Sequence, residues 1–116
     1  MREVGNPTPL SYIYGIIIKI KVMEFKDLEF KKHSVVEGIQ ATLEVKPNVF
    51  ISVVAGKGMY STGKTGHRAA VSKVEDVSTF EVGIIDENLD EENQEWNVQG
   101  WMSREEISKL IQEHAN

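Results

Sequence analysis

The chain contains no cysteine, which excludes disulfides, iron–sulfur clusters and zinc sites built on thiolates. It also lacks a long apolar run. The most hydrophobic stretch, residues 12–22, is interrupted by Lys19, whereas a membrane-spanning helix needs roughly 20 apolar residues. With three prolines among 116 residues, the composition is that of one globular domain. We therefore expect a cytoplasmic protein that does not enter membranes.

Charge is unevenly distributed along the chain. Residues 1–70 hold ten basic and six acidic side chains, whereas residues 71–116 hold three and twelve. The sum is −5, which argues against binding in a DNA groove. We attribute the polarity to a solvated acidic loop at residues 86–95, although such polarity also steers head-to-tail association.

Alternating apolar residues predict an antiparallel sheet. Residues 38–45 and 49–54 alternate on either side of the turn formed by residues 46–48, which is typical of a hairpin. Residues 28–33, 79–85 and 96–102 are further strand candidates, and residues 67–77 fit helix and strand about equally. Ser103 and Glu106 form a capping box that begins a helix over residues 104–114. The fold class is therefore α+β: four to five antiparallel strands with one C-terminal helix packed on them.

The first 22 residues form an N-terminal extension or an extra strand, and residues 23–116 form the single α+β domain. Residues 12–22 are a strand candidate, because from Ile16 to Val22 apolar side chains alternate with lysines. Such a strand would cover an open sheet edge or pair with a second copy, giving a homodimer.

A glycine-lysine loop carries the clearest chemical motif. Residues 58–65 match the phosphate-loop pattern G-x-x-x-x-G-K-[ST], in which main-chain amides and a lysine surround phosphate and a hydroxyl holds Mg²⁺. No acid lies between residues 55 and 68. Thr65 and Asp86, with Glu87 beside it, are weak candidates for a metal. The candidate phosphate-binding residues are Lys57, Gly58, Gly63, Lys64, Thr65 and Arg68.

The chain is too short after this loop for the parallel sheet of a phosphate-loop NTPase, because at most 51 residues follow it. We therefore favour a binding protein over an enzyme, with no catalytic residues, and with Mg²⁺ as a cofactor only if the loop binds nucleotides. Trp96 and Trp101 are candidates for stacking on a base, or alternatively close the core between sheet and helix. The three histidines lie on separate elements and are interpreted as surface side chains.

Several segments from Met23 onward resemble a family of small bacteriophage and prophage proteins. They include residues 23–31, 38–41, 51–54, 60–61, 80–84 and 100–107. The resemblance implies a compact domain made in the cytoplasm of an infected bacterium, and it implies no catalytic residues. Residues 67–79 depart from the family as an insertion.

Together these observations predict a non-enzymatic binding module that acts on a host protein or a small nucleotide-like host signal. Two alternatives stay open: a small Mg²⁺-dependent protein that binds or hydrolyses nucleotides, and an acidic inhibitor that mimics nucleic acid.

Overall fold

The computed structural model describes residues 11–13, 16–18, 22–90, 92 and 98–115. It contains one five-stranded antiparallel sheet, two small two-stranded sheets and one helix, so the predicted α+β class is confirmed. The elements are β1 (Ser11–Ile13), β2 (Ile16–Ile18), β3 (Lys31–Lys32), β4 (Gly38–Lys46), β5 (Val49–Gly56), β6 (Thr62–Gly63), β7 (Gly66–His67), β8 (Phe80–Asp86), β9 (Val98–Met102) and α1 (Arg104–Ala115). Short 3-10 turns lie at Phe25–Asp27 and Val74–Asp76.

The main sheet has the strand order β3-β4-β5-β8-β9. The predicted hairpin is confirmed as β4 and β5, which pair from Gly38 with Gly56 to Lys46 with Val49. Asn48 takes the left-handed conformation that this tight turn needs, with φ of 64°, and asparagine tolerates that conformation better than most residues. Strands β3 and β9 form the two edges of the sheet.

One face of the sheet forms the core. Alternate residues of β4, β5 and β8 point toward the helix, as the period of two in the sequence requires. Ile51, Val53 and Phe80 are fully buried, and so are Ile107 and Ile111 of α1. The rings of Phe25, Phe30 and Phe80 pack together in this core, with centroids 5.0 to 5.7 Å apart. The stability of the fold therefore depends mainly on this single apolar layer.

The predicted C-terminal helix is confirmed, together with its capping box. The Glu106 amide donates to the Ser103 hydroxyl at 3.2 Å, and the Ser103 amide donates to the Glu106 carboxylate at 2.9 Å. The Ser103 hydrogen bonds hold the pKa of Glu106 below its ordinary value of 4.5. Among the described residues, no helix is long and apolar enough to cross a membrane.

The lowered pKa of Glu106 predicts that the stability of the fold decreases at acidic pH. A carboxyl whose pKa is lower in the folded state stabilises the fold above its unfolded pKa, and this contribution is lost as pH falls through the folded value. We expect Glu106→Gln, which keeps an acceptor for the Ser103 amide, to be less stable than the wild type at pH 7. The difference should shrink as pH drops below 4.5. Thermal melts of both proteins from pH 7 to pH 3 measure it, with the neighbouring Glu105→Gln as control. A difference that persists unchanged at pH 3 would contradict the prediction.

Three local predictions differ from the structure. Residues 12–22 were expected to form one strand, but β1 and β2 pair antiparallel as a hairpin, and residues 19–21 lie outside the described residues. Residues 67–77 form neither a long helix nor a long strand: Val71 and Val77 are buried in the core, and the 3-10 turn at Val74–Asp76 lies between them. The strand expected from Leu28 is only β3, two residues long.

Candidate functional site

The candidate site begins with a β-bulge in edge strand β9. Phe80 pairs with Met102 and Val82 pairs with Gln99, so Gly100 and Trp101 together oppose the single residue Glu81. Trp101 takes the left-handed conformation, with φ of 60°, which is unusual for a large side chain. Bulges redirect side chains and are frequent at sheet edges beside functional sites. Here the bulge leaves the Trp101 side chain 43% exposed instead of in the core.

Trp101 belongs to a cluster of exposed aromatic rings. Its ring centroid lies 5.9 Å from that of Tyr60 and 4.9 Å from that of His67, the latter edge-on. The guanidinium of Arg68 lies 5.0 Å from the centre of the Tyr60 ring, within the range of a cation–π contact. We call these four residues, Tyr60, His67, Arg68 and Trp101, the aromatic platform.

Main-chain contacts fix the platform to the sheet. The Trp101 amide donates to the Tyr60 carbonyl at 2.9 Å, and the Tyr60 amide donates to the Glu81 carboxylate at 2.9 Å. Gly100 is needed at the bulge because a Cβ there would lie 2.5 Å from the Tyr60 Cβ. These contacts therefore fix the main chain at Tyr60 relative to the bulge at Gly100 and Trp101.

Two threonines hold the imidazole of His67. Thr79 donates to the Thr62 hydroxyl at 2.7 Å, and the Thr62 hydroxyl lies 2.9 Å from His67 Nδ1. The Thr62 hydroxyl is therefore placed between the Thr79 hydroxyl and His67 Nδ1, within hydrogen-bond distance of both. His67 thus presents a ring of fixed orientation beside Trp101.

The glycine-lysine motif forms a tight hairpin in the structure. Thr62 pairs with His67 and Gly63 with Gly66, so Lys64 and Thr65 occupy the tip, where both are exposed. In a phosphate loop these two residues begin a helix whose amides face the anion. No helix begins there, and the residues that follow β7 are irregular up to the 3-10 turn at Val74.

Main-chain amides of this loop are engaged within the fold. The Gly58 amide donates to Arg68, the Met59 amide to Gly56 and the Arg68 amide to Ser61. The Lys57 amide donates to the Glu37 carbonyl at 3.2 Å. In this conformation these four amides are not directed at an external anion.

The structure brings some of the predicted binding residues together and separates others. Two hydrogen bonds join Gly58 and Arg68. The Gly58 amide donates to the Arg68 carbonyl, and the Arg68 guanidinium donates to the Gly58 carbonyl at 2.8 Å. Gly63 is buried, and a Cβ there would lie 3.0 Å from Val71. Lys57 is exposed and pairs with Glu37 at 3.6 Å.

The metal candidates lie at opposite ends of the sheet. Thr65 is in the loop that follows Gly56, whereas Asp86 pairs with Val49 at the other end of β5 and is followed by Glu87. Seven residue steps of strand separate those ends by about 23 Å. Within the described part of the chain, no group of three or more His, Asp or Glu side chains is placed to hold a metal ion.

The predictions for the two tryptophans have different outcomes. Trp96 lies outside the described residues. Trp101 is in the platform rather than closing the core between sheet and helix. Tyr60 and His67 were not predicted as its neighbours, and His67 was interpreted as an ordinary surface side chain. The only local signal was that both residues lie in the acid-free run from residue 55 to residue 68.

Comparison with known proteins leaves this site as the main guide to function. The chain matches no family model, no curated protein and no solved structure, so the resemblance to phage proteins stays a prediction.

Proposed function

We propose that this chain is a non-enzymatic binding module that holds a protein partner through the aromatic platform. The observation that carries the proposal is Trp101, a half-exposed tryptophan kept in a left-handed conformation at a bulge. Such a conformation costs of order 1–3 kcal/mol and persists only where the surroundings enforce it, most often at functional positions. Packing alone would favour a buried indole, so the exposure points to contact with another molecule.

The composition of the platform fits a protein interface. Trp, Tyr and Arg are the residue types most enriched among those that dominate binding energy between proteins. Trp101 and Tyr60 are 43% and 47% exposed, so each ring still has surface to bury. Arg68 is exposed and lies over the Tyr60 ring, and Lys64 is exposed at the hairpin tip of the same acid-free segment. The complementary partner surface is therefore an apolar depression with acidic residues around it.

The platform is also held in place before any partner arrives. The hydrogen bonds from Trp101 to Tyr60 and from Tyr60 to Glu81 fix the main chain beneath the rings. A surface ordered in advance loses less conformational entropy on binding. If the resemblance to phage proteins holds, the partner is a protein of the bacterial host.

Affinity capture with matched variants tests the proposal. The wild type and Val98→Ala should retain the same protein from a bacterial lysate, since Val98 is exposed on the same strand but outside the platform. Trp101→Ala and Arg68→Ala should lose it. With the captured protein purified, we expect Trp101→Ala to weaken binding about 30-fold, which corresponds to about 2 kcal/mol. A retained protein that binds Trp101→Ala as tightly as the wild type would overturn the proposal, and so would the absence of any Trp101-dependent species.

A small nucleotide-like ligand is the second candidate, favoured by the presence of Arg68 in the same platform as the exposed indole. A base would stack on Trp101, and Lys64 and Arg68 would meet the phosphates. Thermal melts with mono-, di- and cyclic nucleotides and nucleotide sugars, with and without Mg²⁺, test this candidate. A ligand at 100 times its Kd adds about 2.7 kcal/mol to stability. The candidate requires a shift in Tm that both Trp101→Ala and Lys64→Ala abolish.

A further inference from the structure

A cavity at one end of the sheet lies away from the aromatic platform. It has a volume of about 750 Å³ and is bounded by β3, the start of β4 and residues 70–75. Its floor is apolar, formed by the buried residues Ile39 and Val71 and the half-buried Phe30 and Val74. Volumes of this size are typical of sites that receive a ligand or an anchoring side chain.

Lysines surround this floor. Lys31, Lys32 and Lys73 line the cavity and are exposed. None of the three forms an ion pair with another described residue. Two acidic residues, Glu37 and Glu75, line the cavity. Glu37 is paired with Lys57 at 3.6 Å, so Glu75 is the acid that remains to balance the charge of the three lysines. The cavity therefore suits an apolar group flanked by carboxylates.

The chain itself carries such a group at the turn after β8. Leu89 is 42% exposed and lies between Asp86 and Glu87 on one side and Asp90 on the other. The turn is well ordered by hydrogen bonds: the Glu87 amide donates to the Asn48 carbonyl at 2.7 Å, and the Asn88 amide to the Asp86 carboxylate at 2.9 Å. Residues 86–90 are called the acidic turn below.

The acidic turn and the lysine-lined cavity lie at opposite ends of the sheet. The cavity includes Gly38 at the start of β4, whereas the acidic turn is bonded to Asn48, beyond the end of β4 at Lys46. Eight residue steps of strand span about 26 Å. The two surfaces therefore cannot meet within one copy, but they are complementary in charge and polarity.

We propose that the acidic turn of one copy docks into the lysine-lined cavity of a second copy. Leu89 occupies the apolar floor, and its flanking carboxylates meet Lys31, Lys32 and Lys73. This contact joins two different surfaces, so it is heterologous and extends head to tail into chains or closes into a ring. It uses neither the aromatic platform nor the hairpin tip, and so it stands independently of the proposed function.

Sedimentation velocity of the full chain at low salt tests this association. The wild type should form dimers and larger species as concentration rises, and raised salt should weaken them because the contact depends on charge. The cavity variant, Lys32→Glu with Lys73→Glu, and the turn variant, Leu89→Lys, should each associate at least tenfold more weakly than the wild type. All three substituted side chains are exposed, so both variants should melt cooperatively as folded proteins.

Mixing the two variants gives the sharpest result. The turn variant keeps an intact cavity and the cavity variant keeps an intact acidic turn, so one of each can still join. An equimolar mixture should form a heterodimer and nothing larger. The proposal is overturned if the wild type stays monomeric at every concentration, if either variant alone assembles like the wild type, or if the mixture forms no heterodimer.

Discussion

Replacing Phe80 by alanine should cost about 3–5 kcal/mol of unfolding free energy, the usual range for deleting a buried phenylalanine ring. Phe80 is fully buried, and its ring centroid lies 5.0 Å from that of Phe25 and 5.6 Å from that of Phe30. The Arg104 guanidinium also lies 5.3 Å from the centre of the ring. The ring thus joins the sheet, the 3-10 turn at Phe25 and the first turn of α1. Urea denaturation followed by circular dichroism measures the loss.

The matched control is Phe50→Ala on the opposite face of the same sheet. Phe50 is only half-buried and does not belong to the core cluster, so its loss should be clearly smaller. Equal losses for the two variants would show that the three-ring cluster is not the centre of the core.

The second large effect is expected at Gly38, where the main chains of β4 and β5 approach each other closely. A Cβ at Gly38 would lie 2.3 Å from the Ala55 carbonyl oxygen and 2.9 Å from the Gly56 Cα. Both neighbours are backbone atoms of β5, so the two strands have to separate. We expect Gly38→Ala to cost about 3 kcal/mol, the upper part of the range for overpacking. Chemical denaturation of the purified variant gives the value.

Gly83→Ala controls for the general effect of placing alanine in a strand. Gly83 is paired in β8, and a Cβ there would be 3.9 Å from Val98, an ordinary contact. Without a clash, Gly→Ala stabilises by about 0.4–1 kcal/mol because the unfolded chain loses freedom. The interpretation of Gly38 fails if both variants change stability by the same amount.

The sheet hairpin and the helix were predictable because their signals are local. The alternation in β4 and β5 specifies which side chains face the core, and residues 47 and 48 supply the turn between them. Ser103 and Glu106 mark the start of α1 through hydrogen bonds that span three residues. Patterns of this kind act within one or two turns of chain, so the sequence alone displays them.

The candidate site was only partly predictable. Arg68 and Trp101 were selected from the sequence for different roles toward a nucleotide-like ligand, Arg68 as a phosphate-binding residue and Trp101 as a stacking surface. The bulge that turns Trp101 outward depends on Gly100 fitting against Tyr60, a residue far away in the sequence. No local pattern encodes that contact, and therefore neither Tyr60 nor His67 was recognised as a neighbour of the indole.

The phosphate-loop motif illustrates the same limit. Its residues are present in the right order, but the motif works only where a helix begins at its lysine. Here Gly63 pairs with Gly66, and the tip forms a two-residue turn. The amide of Thr62 donates to the carbonyl of Thr79, the residue before β8. This hydrogen bond holds the loop against the sheet, and no helix begins at Lys64.

The sequence by itself determined the α+β class, the hairpin of β4 and β5, the helix with its cap and the separation of charge along the chain. These follow from periodicity and from short-range hydrogen bonding. The tertiary structure decided where the charges and aromatic rings meet: the lysines around one cavity, the acidic turn at the opposite end, and Trp101 beside Tyr60 and His67. Those arrangements depend on strand order and on close contacts between distant glycines and side chains, which are settled only when the sheet assembles.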